Sequence, residues 1–148
     1  MSLKKGSLAP DFVLPSSSGN KFRLKDNLPC IIYFYPKDFT PGCTEEACSF
    51  RDGFEELKGL DINVFGISRD GIESHQKFIQ KHKLSFELLS DRSGEVCKQY
   101  KALVPLIGVP KRITYLIDQE QKIVAVYADM FNANQHLKYM IEELNKNK

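Results

Sequence analysis

The sequence lacks a long apolar run, an excess of charge of one sign and a dense set of cysteines. Its 21 basic and 19 acidic residues are spread along the chain and leave a net charge of +2. Without a basic face, the chain offers no electrostatic footprint for nucleic acid or an anionic membrane. The N-terminus shows no apolar segment of a signal peptide or a membrane span. We therefore expect a soluble cytoplasmic protein, or a protein of a plastid or other organelle stroma whose transit peptide has been removed.

The 4 cysteines are too few for a disulfide scaffold in a chain of 148 residues. Their spacing contains no pair of CxxC motifs of the kind that holds structural zinc. The three histidines, His75, His82 and His136, also lack the spacing of a metal pair, and we expect them to lie exposed on polar helices. The sequence thus predicts neither a metal site nor a bound cofactor, and it favours redox chemistry at cysteine.

Length and composition indicate one folded domain over residues 1–148. The chain is 42% hydrophobic and 27% charged, and it has no low-complexity tract. A chain of this length buries a sizeable core without metal or disulfide crosslinks.

The order of predicted elements indicates an α/β fold. Extended segments at 11–14 and 21–24 flank a turn rich in Ser and predict an N-terminal β-hairpin. An apolar strand at 30–35 precedes a helix that begins at Pro41, with Thr40 as N-cap and one apolar face continuing to Leu57. Further elements are predicted at 62–68, 72–83, 86–89, 94–101, 113–118, 122–127 and from about 134 onward. This order predicts a thioredoxin-like mixed sheet flanked by helices, with the hairpin added.

Cys43 lies in the first turn of the helix that follows the apolar strand. Backbone N–H groups and the helix dipole favour a thiolate there. A free thiol with a pKa of about 8.5 is only about 3% ionised at pH 7, and lowering that pKa to about 6 requires about 3.4 kcal/mol. A helix terminus supplies at most about 2 kcal/mol, so we expect a cation nearby. Arg112 is the candidate, because it begins a strand whose end meets the same edge of the sheet.

Ionisation alone accounts for only about a thirtyfold rate increase. A larger acceleration needs donors aimed at the atom on which negative charge grows when sulfur attacks its substrate. The available donors are the Arg112 guanidinium, the Thr40 hydroxyl and backbone N–H groups around Gly42 and Cys43.

The segment Thr40-Pro41-Gly42-Cys43-Thr44-x-x-Ala47-Cys48-x-Phe50-Arg51 resembles the active-site signature of the peroxiredoxins, and most closely that of the bacterioferritin comigratory protein or peroxiredoxin Q branch. Segments along nearly the whole chain are similar to that branch in order and spacing: Ala9-Pro10-Asp11-Phe12, Gly66-Ile67-Ser68-x-Asp70, Phe86-x-Leu88-Leu89-Ser90-Asp91 and Arg112-x-Thr114-Tyr115.

The resemblance implies a thiol peroxidase that reduces hydrogen peroxide and organic hydroperoxides through a sulfenic acid at Cys43. It implies a resolving Cys48, which forms a disulfide with Cys43 that thioredoxin or glutaredoxin reduces. It also implies that Thr40 and Arg112 activate the peroxide, that Pro36 shields the thiolate and that Glu46 holds Arg112. Because the chain has no long insertion or C-terminal extension, we expect a monomer rather than a ring.

Position in the sequence alone does not decide the roles of the other three cysteines. A cysteine at position 48 on a helix is equally compatible with packing, and the resolving role rests on the resemblance. Cys30 begins an apolar strand and is interpreted as a core residue. Cys97 is also interpreted as packing, with a secondary redox role as the alternative.

Two other functions fit a reactive cysteine on this fold. A thiol-disulfide oxidoreductase normally carries CxxC at the helix start, where this chain has Cys43 and Cys48. A non-catalytic redox sensor or holdase would be oxidised once at Cys43 and stop. Steady-state peroxide consumption separates a peroxidase from both alternatives.

Overall fold

The N-terminal part of the chain forms the predicted hairpin. The computed structural model describes residues 2–146, so the ends of the predicted domain, residues 1, 147 and 148, lie outside the described residues. Strands β1 (Val13–Pro15) and β2 (Lys21–Arg23) pair antiparallel in a two-stranded sheet. A short 3-10 helix (Leu24–Asn27) then leads to the central sheet.

The central sheet is mixed, as predicted. Its strands are β3 (Cys30–Phe34), β4 (Asn63–Ser68), β5 (Glu87–Ser90), β6 (Ile113–Ile117) and β7 (Ile123–Ala128). They lie in the order β5-β4-β3-β6-β7. The β3–β4 and β4–β5 pairs are parallel, whereas β3–β6 and β6–β7 are antiparallel. The end of β3 and the beginning of β6 therefore meet at one edge, since Phe34 pairs with Ile113.

The helices are α1 (Pro41–Asp52), α2 (Phe54–Gly59), α3 (Ile72–His82), α4 (Glu95–Gln99) and α5 (Gln135–Lys146). The prediction of one helix from Pro41 through Leu57 is wrong, because it is interrupted at Gly53. A Cβ on Gly53 would lie 2.5 Å from Leu137 Cδ2. The glycine that separates α1 from α2 thus lets α5 pack close to them.

Strand β3 divides the core between the two faces of the sheet, because side chains alternate along a strand. Ile31 and Tyr33 belong to a cluster that receives side chains from α1, α2, α3 and α5. Cys30, Ile32 and Phe34 belong to a second cluster, which receives side chains from the hairpin and α4. Helices therefore lie on both faces, as in the predicted thioredoxin-like architecture.

Within residues 2–146, every helix is too short or too polar to cross a membrane.

Candidate active site

Cys43 occupies the first turn of α1, immediately beyond the edge where β3 ends. Thr40 has the extended backbone of an N-cap residue, and its carbonyl accepts the Thr44 N–H at 2.9 Å. The Thr40 hydroxyl does not cap the helix, because it donates to the Lys37 carbonyl at 2.8 Å. The Cys43 side chain is only 1% exposed. The sulfur is therefore held in a protected position at the positive end of the helix dipole.

Arg112 lies directly against Cys43. Its Nη2 donates to the Cys43 sulfur at 3.3 Å, and its Nη1 donates to Glu46 Oε1 at 2.7 Å. Its Nε donates to the Met130 carbonyl at 3.2 Å, so the guanidinium is fixed on three sides. Arg112 is 5% exposed and Glu46 is completely buried. Cys43, its expected cation Arg112 and Glu46, which the resemblance assigns to hold Arg112, are thus brought together.

Gly42 leaves the space that Arg112 occupies. A Cβ on residue 42 would lie 3.0 Å from Arg112 Nη2, closer than an ordinary contact. The glycine therefore allows the guanidinium to reach the Cys43 sulfur.

The Glu46 carboxyl group is unusual because it is buried within the site. Burial raises its pKa from 4.5 to about 8, although the charge and hydrogen bond of Arg112 act in the opposite direction. Desolvation of a carboxylate dominates here, since an ion is far less stable away from water than its neutral acid. Glu46 can consequently hold a proton near neutral pH.

A loop anchored by buried polar groups connects β3 to α1. Asp38 accepts hydrogen bonds from the Tyr35 hydroxyl at 2.6 Å and the Ser74 hydroxyl at 2.8 Å, and it contacts His75 Nδ1 at 2.8 Å. His75 Nε2 lies 3.0 Å from the Leu89 carbonyl. The prediction that His75 is exposed is wrong, because its side chain is completely buried.

Asp38 of this loop meets Asp70, which follows β4, and His75 of α3: one side-chain oxygen or ring nitrogen of each lies within 4.8 Å of the others. Each of these side chains is already hydrogen-bonded; Asp70 accepts the Asp38 N–H at 2.9 Å and the Ser68 hydroxyl at 2.6 Å. We interpret the cluster as the anchor that fixes the loop before Thr40.

Pro36 follows Tyr35 in this loop. It lines a cavity of about 450 Å³ with Arg69, Asp70 and Pro110. A separate cavity of about 260 Å³ reaches Arg112 beside Met130. Shielding of the Cys43 thiolate by Pro36 stays a prediction.

Cys48 lies on the same helix as Cys43 and is partly exposed. Within residues 2–146, all four cysteines are free thiols.

The other two cysteines, Cys30 and Cys97, are completely buried on the opposite face of the sheet from Cys43. Burial raises the pKa of Cys30 to about 12, and burial together with the Asp91 charge raises the pKa of Cys97 further. Both environments disfavour thiolate formation, as the packing interpretation requires.

A second buried histidine adjoins the site. His136 Nδ1 lies 3.5 Å from Glu46 Oε2 and 2.7 Å from the Thr114 hydroxyl oxygen. The prediction that His136 is exposed is therefore also wrong. The sequence contains a signal for this burial: His136 precedes the core residue Met140 by four positions, so the two side chains lie on the same face of the helix. His75 similarly precedes Phe78 by three.

His82, the third histidine predicted to be exposed, is half-buried, with its ring against Phe78 at 5.0 Å between centroids.

Comparison with known proteins finds a matching family model, similar sequences and a similar crystal structure. The AhpC/TSA family model matches residues 6–126. The putative peroxiredoxin bcp of Coxiella burnetii is 45% identical over 86% of this chain and 89% of its own length. Peroxiredoxin Q of Sedum lineare, described as chloroplastic, is 42% identical over 90% of this chain and 73% of its own length. The crystal structure of peroxidoxin BcpB from Mycobacterium tuberculosis has a TM-score of 0.94 at 34% identity and covers 99% of both chains.

These matches span the site as well as the fold, since the family model includes both Cys43 and Arg112. The chain therefore belongs to the AhpC/TSA family, with relatives among the peroxiredoxins of the bcp and Q type.

Proposed function

We propose that this protein is a thiol peroxidase in which Cys43 is the nucleophile. The observation that carries the proposal is the 3.3 Å contact between Arg112 Nη2 and the buried Cys43 sulfur. A guanidinium that donates to sulfur stabilises the thiolate and remains in place for the charge that develops on a peroxide.

The thiolate attacks one oxygen of the hydroperoxide and the O–O bond breaks. The hydroxyl-bearing oxygen stays on Cys43 as a sulfenic acid, and the departing alkoxide or hydroxide takes up a proton from solvent water and leaves as an alcohol or water. Arg112 and the backbone N–H groups at the start of α1 stabilise the departing oxygen. The Thr40 hydroxyl proton is engaged by the Lys37 carbonyl. We therefore replace the donor role expected of the Thr40 hydroxyl: its Oγ1 serves the peroxide as an acceptor for the O–H group.

Cys48 completes the proposed cycle as the resolving cysteine. It attacks the sulfenic sulfur, water leaves, and a Cys43–Cys48 disulfide forms. A dithiol reductant, thioredoxin or glutaredoxin, then reduces this disulfide by exchange. Partial exposure of Cys48 agrees with a role at the protein surface. Hydrogen peroxide and alkyl hydroperoxides are the proposed substrates.

We further propose that the chain acts as a single monomeric domain in the cytoplasm, or in a plastid stroma. The second location is consistent with the similarity to a peroxiredoxin Q described as chloroplastic.

A turnover assay tests the proposed function. Purified protein is mixed with hydrogen peroxide or an alkyl hydroperoxide, and consumption is followed with thioredoxin and its reductase, or with glutaredoxin and glutathione. Cys43→Ser should abolish consumption while far-UV circular dichroism stays unchanged, because serine is similar in size but is not ionised near neutral pH. Cys48→Ser should still reduce about one equivalent of peroxide before turnover with thioredoxin stops.

The assay also distinguishes the alternatives. A redox sensor or holdase would oxidise once in the unmodified protein and stop. A thiol-disulfide oxidoreductase would reduce insulin rapidly without consuming peroxide. Substantial peroxide turnover by Cys43→Ser would show that the nucleophile is another residue.

A further inference from the structure

Arg112 faces two groups that can each become an anion. Its Nη2 contacts the Cys43 sulfur at 3.3 Å and its Nη1 contacts Glu46 Oε1 at 2.7 Å. A thiolate and a carboxylate together carry two negative charges, whereas the guanidinium carries one positive charge. Arg112, Cys43 and Glu46 are therefore neutral as a set only when one of the two acids keeps its proton.

The surroundings of Glu46 Oε2 favour a proton on this carboxyl group. This oxygen is buried and has no hydrogen-bond partner. His136 Nδ1 lies 3.5 Å from it. The contact is an ion pair only if His136 is protonated, and burial together with the nearby Arg112 charge lowers the His136 pKa to about 4. The imidazole is therefore neutral at physiological pH.

The hydrogen bonds of His136 fix its tautomer. Nε2 lies 2.9 Å from the Asp129 carbonyl, which is an acceptor, so the single ring proton is on Nε2. Nδ1 is consequently an acceptor, and the Thr114 hydroxyl donates to it at 2.7 Å. A carboxylate at Glu46 would place the lone pairs of Oε2 against the lone pair of Nδ1. A protonated carboxyl group would turn its O–H toward Nδ1 instead and share the single Nδ1 lone pair with the Thr114 hydroxyl.

Groups from α1, β3, α5 and the segment before β6 face the Glu46 carboxyl group or influence its charge. Cys43 is on the same helix, Arg112 precedes β6, His136 is on α5, and the buried Tyr33 hydroxyl on β3 interacts with the Glu46 and Cys43 charges. His136 itself is faced by Thr114, by Asp129 and by the Tyr127 ring, whose centroid lies 4.7 Å away. Among these groups, the charge of Arg112 is the one that both acids contact directly.

We propose that Cys43 and Glu46 share one proton through their common contact with Arg112, and that His136 is the positioning residue that keeps an acceptor facing the Glu46 carboxyl. This inference rests on the proposed nucleophilic role of Cys43. The exchange is Cys43–SH plus Glu46–COO⁻ giving Cys43–S⁻ plus Glu46–COOH. No proton enters or leaves the site, and the total charge is unchanged. Glu46 thus lets the thiolate form without a second anion beside Arg112.

A titration of the Cys43 thiolate tests the coupling without using peroxide. Ultraviolet absorbance of the thiolate is followed against pH in a Cys48→Ser background, and the Cys43→Ser/Cys48→Ser protein provides the blank. Two strongly interacting acids titrate in overlapping steps, so the curve should be broader than that of a single group. Glu46→Gln should give a single-proton curve with a midpoint lower by about one pH unit, because the competing anion is gone. Glu45→Gln, an exposed neighbour, should match the Cys48→Ser parent.

His136→Asn should shift the midpoint in the opposite direction. The Asn amide can turn its NH2 group toward Glu46 Oε2, where this donor stabilises the carboxylate and makes thiolate formation require a higher pH. His82→Asn is its matched control and should leave the curve unchanged. If His136→Asn does not fold, Thr114→Val frees Nδ1 for the Glu46 proton and should lower the midpoint.

An unchanged midpoint in Glu46→Gln, or a shift of the same sign in Glu46→Gln and His136→Asn, would overturn the coupling. Peroxide turnover of the unmodified protein is measured alongside. Opposite shifts in a protein that does not turn over peroxide would support the coupling and contradict the proposed function. Turnover without the shifts would support the function and overturn the coupling.

Discussion

At the scale of single residues, the site depends on how a buried guanidinium is fixed. Arg112 contacts sulfur, carboxylate and a backbone carbonyl with three different nitrogens. The planar fork of arginine suits this arrangement, whereas a lysine ammonium on a flexible stem could not reproduce the same three directions. The geometry therefore supports two effects of Arg112: thiolate formation and stabilisation of the departing oxygen.

Arg112→Ala separates these two effects. We expect single-turnover peroxide reduction to fall by more than the roughly thirtyfold that ionisation can supply, because a donor to the departing oxygen is also lost. Stopped-flow measurements across pH check this prediction, with Arg23→Ala as control because Arg23 is exposed and pairs with Asp11 away from the site. Full recovery of the rate at high pH would show that Arg112 acts only through ionisation.

Gly42 provides a finer test of the same contact. In Gly42→Ala, the new Cβ would lie 3.0 Å from Arg112 Nη2 and should displace the guanidinium by a few tenths of an ångström. We expect a slower reaction with peroxide, with thermal stability retained or raised, because alanine favours helix by roughly 0.5–1 kcal/mol over glycine.

Gly59→Ala is the matched control for this substitution. Gly59 ends α2, and a Cβ there would meet nothing within 4 Å. It should keep the full peroxide rate. Equal rates in Gly42→Ala and the unmodified protein would mean that Arg112 tolerates the displacement.

At the scale of elements, α1 must change shape for the proposed disulfide. Cys43 and Cys48 lie on one continuous helix, Pro41–Asp52. On a regular helix their Cα atoms are about 8.6 Å apart, whereas a disulfide needs them within about 7 Å. The first turns of α1 also carry Glu46, whose 2.7 Å contact with Arg112 restrains them. Unwinding must break this contact.

We predict that oxidation to the Cys43–Cys48 disulfide unwinds the beginning of α1. Amide hydrogen exchange of residues 43–50 should be faster in the oxidised than in the reduced protein, while exchange in β3 and β4 should stay slow in both states. Equal protection of residues 43–50 in both states, with the disulfide confirmed by mass spectrometry, would contradict unwinding. A Cys43–Cys97 bond would instead assign the resolving role to Cys97.

At the scale of the whole molecule, two buried titratable groups make stability depend on pH in opposite senses. The His136 pKa is lowered from 6.5 to about 4 by burial, so the unfolded chain binds its proton first and stability falls as pH falls between these values. The Glu46 pKa is raised from 4.5 to about 8 by burial, so its contribution is fully present below pH 4.5 and is lost as pH rises toward 8.

We therefore expect the reduced protein to lose stability between pH 6.5 and 8 through Glu46, by at most about 1.4 kcal/mol per pH unit. Glu46→Gln should flatten this part of the profile, since an amide has no proton to lose. Urea denaturation across the range measures it, and Glu45→Gln, which is exposed, should behave as the unmodified protein. A decline of the same slope in Glu46→Gln would assign the dependence to other groups.

The sequence by itself determined the local features of this protein. The hairpin, the fully apolar β3, the helix start at Pro41 and the placement of Cys43 in its first turn all follow from neighbouring residues, because turn chemistry, side-chain alternation and N-terminal helix signals act over a few positions. The mixed sheet followed from the order of these elements.

Only the tertiary structure decided how the polar groups combine. Arg112 is 69 residues from Cys43 along the chain, and its contact depends on β3 and β6 pairing at one edge of the sheet. His75 and His136 are predicted to be exposed because their own helices are polar, yet both are buried where groups outside those helices, among them Asp38 and Thr114, hydrogen-bond to their rings. Burial of a polar side chain is stable only when partners from other elements meet it, and local sequence does not specify those partners.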